Sequence, residues 1–280
     1  MPDLRGAPIA FMDSGIGGLP YLSRARELLP GESFIYLADT DGFPYGEKDA
    51  LLIRKIVIDR VARIMDQFAP KALVIACNTA SQTALHAVRQ AWPGFPVIGT
   101  VPAVKPAAES SRTRTIGVLA TERTVRDPYL DLLIERHARG CTVLRCGAGS
   151  LVEFVERGYA ASSGAERRAV IAPFVDGLVR GGADRIVLAC THFLHVAGEI
   201  GEIARDRDPS VEAVDSREGV AKRLVQVLRE RGLRTESVSV QRKGIFLVSG
   251  SAAMVDREGM YGGWALRFGL YGPCLLRPRS

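Results

Sequence analysis

The chain has 280 residues, of which 47% are hydrophobic and 24% charged, a balance ordinary for a globular protein and unlike that of a disordered one. Its net charge of +6 comes from 37 basic and 31 acidic side chains that are dispersed along the sequence, so a solvated surface is expected and no nucleic-acid partner. No apolar run reaches the roughly 20 residues that cross a bilayer, and the segment MPDLRGAPIAFMDSG lacks the apolar core of a signal peptide, so no membrane partner and a cytoplasmic location are expected.

The first strand is read from PIAFMD at 8–13, followed by a helix over about 19–29 and a second strand in SFIYLAD at 33–39. A helix through 51–68 leads to a third strand in ALVIAC at 72–77, then to another helix and a fourth strand in PVIGTV at 96–101. Continuous apolar strands separated by amphipathic helices predict a parallel sheet covered on both faces. The rhythm restarts at TIGVLAT (115–121), passes through TVLRCG (142–147) and a helix beginning near Ser150, and reaches RIVLAC at 185–190. Beyond it lie a helix, VEAVDS (211–216), a long helix and GIFLVSG (244–250), which is expected to rejoin the first lobe. The tail from 257 mixes glycine with aromatic residues and gives no clear element.

Aligning Ile9 with Ile116, or Cys77 with Cys190, gives nearly equal offsets, which points to an internal duplication at domain scale. The expected fold is α/β, with two pseudo-symmetric lobes, each a mainly parallel sheet flanked by helices, and an active site in the cleft between them. Residues 1–101 with 210–280 are expected to form the first lobe and 102–209 the second, with Pro102 and Pro106 marking the crossover.

Ligands of parallel sheets bind just beyond the carboxyl ends of the strands. That rule selects Asp13-Ser14, Asp39-Thr40, Cys77-Asn78-Thr79, Thr121 and Cys190-Thr191-His192. DSGIGGL follows a strand and precedes a helix, and its glycines serve either a plain turn or backbone N–H groups approaching an anion. The loop DTDGFPYGEK offers the hydroxyl of Tyr45 and the backbone N–H of Gly46 to a carboxylate, or is an ordinary turn.

Five cysteines without CxxC spacing support neither a disulfide framework nor a zinc site, and no metal is expected. A single buried cysteine reads as a small hydrophobe. Cys77 and Cys190 differ in that both end a strand, both stand within two residues of a threonine, and related lobes would set them across a shared cleft. Two opposed thiols suit racemisation, one thiolate removing an acidic hydrogen and the other thiol delivering a proton to the opposite face. The free thiol has a pKa of about 8.5 and needs help to ionise, for which His192 is the candidate beside Cys190 and Asp13 beside Cys77.

Together DSGIGGL, LADTDGFPYGEK, ALVIACNTAS, PVIGTVPAVKPA, TIGVLAT, LVEFVERG, VLACTHF and VDS, in this order, resemble the glutamate racemase family of the aspartate/glutamate racemase superfamily. The resemblance implies cofactor-independent interconversion of L- and D-glutamate, with D-glutamate feeding peptidoglycan, and a homodimer. It assigns Cys77 as the base for D-glutamate and Cys190 as the base for L-glutamate, with Asp13, Asp39 and Glu156 as assisting acids and His192 supporting Cys190. It gives substrate binding to Asp13, Ser14, Tyr45, Gly46, Asn78, Thr79, Thr191 and His192. Ala189, Leu194 and Glu153 depart from the family's usual Gly, Pro and Pro. The remaining alternatives are an aspartate or hydantoin racemase of the same superfamily, and a ligand-binding regulator with inert cysteines.

Overall fold

The protein is described here by a computed structural model covering residues 4–235, 244–251, 255–256 and 258–278. Short apolar runs form strands β1 (Ile9–Asp13), β2 (Phe34–Ala38), β3 (Ala72–Ile75), β4 (Val97–Gly99), β5 (Thr115–Ala120), β6 (Thr142–Gly147), β7 (Arg185–Leu188), β8 (Glu212–Val214), β9 (Gly244–Val248) and β10 (Leu270–Leu275). The helices are α1 (Leu19–Leu28), α2 (Ala50–Phe68), α3 (Asn78–Ala91), α4 (Val104–Ser110), α5 (Glu122–Arg126), α6 (Pro128–His137), α7 (Gly149–Glu153), α8 (Gly164–Arg180), α9 (Ala197–Arg207), α10 (Arg217–Glu230) and α11 (Met260–Arg267). Local chemistry sets the ends of the longest helix. The Asp49 side chain accepts from the N–H groups of Leu51 and Leu52 at the start of α2, and Ala69 turns left-handed at its end.

The chain divides into two compact units, one comprising Met1–Thr100 with Arg217–Ser280, the other Val101–Ser216. The first holds a sheet in the order β10-β9-β2-β1-β3-β4 and the second a sheet in the order β6-β5-β7-β8, every pairing parallel. The run β2-β1-β3-β4 therefore repeats as β6-β5-β7-β8, strand for strand in chain order. The apolar strands β1, β2, β3 and β7 are buried along their whole length and β5 along all but its first residue, as strands covered on both faces must be, whereas β6, β8 and β10 are partly exposed. The first core gathers Met12, Leu37, Val57, Leu73, Ile75 and Leu247, and the second Val104, Ile116, Val118, Leu130 and Val187.

Two features differ from the sequence expectation. The boundary between units falls after Ser216 rather than near 209, because β8 pairs with β7 and belongs to the second sheet. The tail that gave no clear element forms α11 and the edge strand β10, where Gly272, at φ 137°, takes a backbone conformation that glycine allows without strain.

Candidate active site

Because the strands of each sheet run parallel, their carboxyl ends share one edge. In the first unit Asp13 closes β1, Asp39 follows β2, and Cys77 stands two residues beyond β3. All three side chains are buried. Cys77 is the N-cap of α3, so its sulfur lies at a helix N-terminus, a position that favours negative charge. The next residue, Asn78, is buried with both its amide oxygen and nitrogen lacking a hydrogen-bond partner among the described residues. Leaving such groups unsatisfied costs about 1–3 kcal/mol, so the Asn78 amide is one that a bound water or ligand would satisfy.

The loop after β1 is held by a residue that strand-end reasoning passes over. The Tyr36 hydroxyl donates to the Gly15 carbonyl at 2.7 Å and accepts from the Gly18 N–H at 2.9 Å. A Cβ on Gly18 would sit 2.7 Å from the Ala76 Cβ, so this glycine is present for close approach to the segment carrying Cys77, and its N–H is already used. Ser14 lies beside Asp13, whose Oδ1 accepts the Ser14 N–H at 2.7 Å.

The DTDGFPYGEK loop departs from expectation at Tyr45. Its hydroxyl donates to Asp39 Oδ2 at 2.5 Å, and the ring is buried. Burial, and then the Asp39 charge, pushes the phenol well above its ordinary pKa, so it keeps its single proton and directs it at Asp39. The phenolic proton is therefore engaged by Asp39 and is not free to meet a carboxylate. Asp39 also accepts from Arg60 Nε at 2.7 Å and from the Ser249 hydroxyl.

In the second unit Cys190 follows β7 and opens a 3-10 turn, Thr191–Val196, in place of a long helix. The titratable neighbours of this cysteine are side chains. Cys190 Sγ lies 4.0 Å from His192 Nδ1, and His192 Nε2 lies 2.8 Å from Glu156 Oε2, with all three groups buried. Glu156 is carried on a single π-helical turn, Phe154–Gly158, that continues α7; turns of this kind recur at functional sites. Burial opposes a charge on His192, yet the contacts with Cys190 and Glu156 outweigh it and hold the imidazole well above its ordinary pKa. Thr191 is buried next to Cys190, whereas the Thr121 oxygen caps α5 by accepting the Thr124 N–H at 3.2 Å.

The raised His192 value fixes the sign of a stability effect. A group whose folded pKa exceeds its unfolded one stabilises fully below the unfolded value, about 6.5 for histidine, and loses that contribution as pH rises through the folded value. Denaturant unfolding of the parent and of His192→Asn should therefore give a stability difference that shrinks on the alkaline side. A difference that widens with increasing pH would contradict a charged His192 in the folded protein.

Among the described residues no group of three or more His, Cys, Asp or Glu is arranged to hold a metal ion. The two units thus present the same strand-end thiol with different electrostatic neighbours. A family model described as Asp/Glu/Hydantoin racemase matches residues 23–223. The chain belongs to the Asp/Glu/hydantoin racemase family. The glutamate racemase of Sphingopyxis alaskensis is 43% identical over 238 residues, covering 81% of this chain and 84% of that one. The crystal structure of Escherichia coli glutamate racemase in complex with L-glutamate and the activator UDP-MurNAc-ala matches with a TM-score of 0.83 at 28% identity, over 98% of this chain and 100% of that one. That of Francisella tularensis glutamate racemase in complex with D-glutamate matches with a TM-score of 0.73 at 27% identity, over 88% and 89% of the two chains.

Within this racemase the three departures from the usual pattern occupy unlike places. Ala189 packs in the second core, and Leu194 is buried in the turn after Cys190. Glu153 is exposed, and its carboxylate pairs with Arg157 at 3.3 Å on the surface of the helix. Sequence reasoning missed Tyr36, Arg60 and Ser249. Of these only Arg60 left a signal, as a cation interrupting the apolar stripe Ile53, Val57, Val61 and Ile64 of α2.

Proposed function

We propose that this racemase interconverts L- and D-glutamate without a cofactor, Cys190 acting as the base toward L-glutamate and Cys77 as the base toward D-glutamate. The observation that carries the reading is the repeated strand order with a buried cysteine just beyond the third strand of each repeat, β3 and β7. The α-proton leaves to one thiolate, charge spreads into the α-carboxylate, and the opposite thiol protonates the other face. Donors that meet the carboxylate as that charge grows lower the barrier more than they strengthen ground-state binding. Asn78, Thr79, Thr191 and the Tyr45-Gly46 backbone are the donors assigned, with Asp13, Ser14 and His192 completing the substrate contacts. Glu156 and His192 support Cys190, and the helix N-terminus supports Cys77.

The choice of glutamate is supported by the relatives named glutamate racemase and by the two similar structures that hold L- and D-glutamate. The product D-glutamate supplies cytoplasmic peptidoglycan synthesis in this reading, and the protein is a homodimer. No helix among the described residues is long and apolar enough to cross a membrane. Sedimentation at micromolar concentration tests the dimer, and a single monomeric species would contradict it.

The test of the reaction is incubation of the purified protein with each glutamate enantiomer in deuterated water, with no cofactor added. The expected result is α-deuterium in both enantiomers and approach to a racemate from either side. Absence of both deuterium uptake and racemisation sinks the assignment, and faster turnover of aspartate than glutamate moves the substrate to the neighbouring activity.

A further inference from the structure

Asp39 was assigned above, by resemblance, as an assisting acid, but its surroundings are those of an anchor. The carboxylate is fully buried, and it accepts from three side chains: Arg60 Nε and the Ser249 hydroxyl on Oδ1, and the Tyr45 hydroxyl on Oδ2. An ionised carboxylate offers about four acceptor positions, so most are already engaged. On the Oδ2 side the loop backbone closes over it, since a Cβ added to Gly42 would lie 2.1 Å from that oxygen. A proton carrier must reach the reacting centre, and this group is held on every side by protein.

The cation that holds it is Arg60. Its guanidinium bonds Asp39 through Nε at 2.7 Å, Asp41 at 2.8 Å and Asp59 at 2.6 Å, spending the planar fork on three carboxylates. The residue stands on α2, whose apolar stripe Ile53, Val57, Val61 and Ile64 is buried in the first core, so the fork has a rigid base. A second support comes from the end of β9. There the Ser249 oxygen also accepts the Asp41 N–H at 3.2 Å, and the Gly250 N–H donates to the Thr40 hydroxyl at 3.0 Å. Helix α2 and the end of β9 therefore converge on one buried carboxylate at the end of β2, and that carboxylate holds the Tyr45 hydroxyl.

We propose that Arg60 and Ser249 are positioning residues for the Tyr45-Gly46 turn, acting through Asp39, and that Asp39 serves as their anchor point and transfers no proton. The proposal rests on the reading that this turn receives the substrate carboxylate. An unanchored turn populates its binding-competent form only part of the time, and apparent affinity falls by that fraction while the saturated complex still reacts. The kinetic signature is a raised KM with kcat largely kept. An Asp39 that carried a proton tuned by Arg60 would give the opposite split, a lowered kcat and a displaced pH profile at unchanged KM.

The experiment compares Arg60→Gln, Ser249→Ala and Asp59→Asn with the parent, measuring glutamate racemisation in both directions and amide hydrogen exchange over residues 40–47 without substrate. Arg60→Gln should raise KM about tenfold with kcat within about threefold of the parent, and Ser249→Ala should move KM the same way by less. Both should exchange faster over 40–47, whereas Asp59→Asn, which removes a half-exposed charge shared by Arg60 and Arg63 and leaves Asp39 its own partners, should match the parent. Parent-like KM and parent-like exchange in folded Arg60→Gln or Ser249→Ala overturn the proposal, as does a kcat loss with a shifted pH profile and unchanged KM. If Arg60→Gln does not fold, Ser249→Ala alone decides. A parent inactive on glutamate removes the functional reading, and the exchange measurement still decides whether Arg60 and Ser249 anchor the turn.

Discussion

Cys190→Ser should lower kcat/KM for L- and D-glutamate by one and the same factor, roughly 10²–10⁴-fold. Equality in the two directions is required by thermodynamics, because enantiomers have equal free energy in water and the equilibrium constant is unity. A lost thiol therefore cannot be seen as a one-way defect in kcat/KM, whichever face it served. It is seen in exchange. With Cys190 replaced, Cys77 still removes the α-proton of D-glutamate and can return a solvent deuteron to the same face, so D-glutamate should gain deuterium with retention faster than it inverts. L-glutamate, which needs Cys190 for its first step, should exchange no faster than it racemises. Cys77→Ser should give the mirror result, exchange with retention in L-glutamate. Both cysteines are buried and serine is nearly isosteric, so loss of activity in folded variants reports chemistry rather than packing. Parent-like activity in either variant, or exchange in the wrong enantiomer, would end the two-thiol assignment.

What the sequence made legible was whatever depends on pattern. Continuous apolar strands alternating with amphipathic helices announced a parallel α/β fold, and the matched Ala-Cys endings announced the repeat that appears as β2-β1-β3-β4 and β6-β5-β7-β8. The strand-end rule selected Asp13, Asp39, Cys77 and Cys190, and the structure has each of them at or just beyond the carboxyl end of a parallel strand. It did not find what those residues bond to. Tyr36 reads as one more apolar residue of β2, Arg60 as a cation breaking an apolar helix stripe with no partner indicated, and Ser249 as part of a turn, yet each makes its contact across distant sequence. Tyr45 illustrates the same limit in reverse. Its hydroxyl was legible as a donor, but its recipient was set by the fold, which puts Asp39 at 2.5 Å. Glu156 was reached by resemblance alone, since no spacing rule links it to His192, 36 positions along the chain. The edge strand β10 was missed because glycine and proline at 272–273 obscure strand periodicity.

The asymmetry between the two thiols leads to the other large expected effect. Cys77 sits at the N-terminus of α3, a source of positive potential that does not titrate, whereas Cys190 lies 4.0 Å from an imidazole that does. Glu156→Gln removes the charge that His192 meets at 2.8 Å while keeping a side chain of the same shape. A charge-assisted hydrogen bond of this kind contributes about 1.5–3 kcal/mol, so kcat/KM should fall on the order of 10-fold to 100-fold, again equally in both directions. The larger change is in the pH profile. In the parent, the alkaline loss of the imidazolium lies well above the ordinary histidine value, because the contacts with Cys190 and Glu156 outweigh burial. Without the carboxylate, only the contact with Cys190 is left to offset burial and the His192 pKa falls, so the alkaline limb governed by this residue should move to lower pH. A carboxylate whose role was only to satisfy a buried ring would lower the unfolding midpoint of the variant and leave that limb in place. The pH dependence of kcat/KM, read beside the NMR titration of the His192 ring, separates the two, and an unshifted limb with a normally titrating ring would remove Glu156 from the tuning of Cys190.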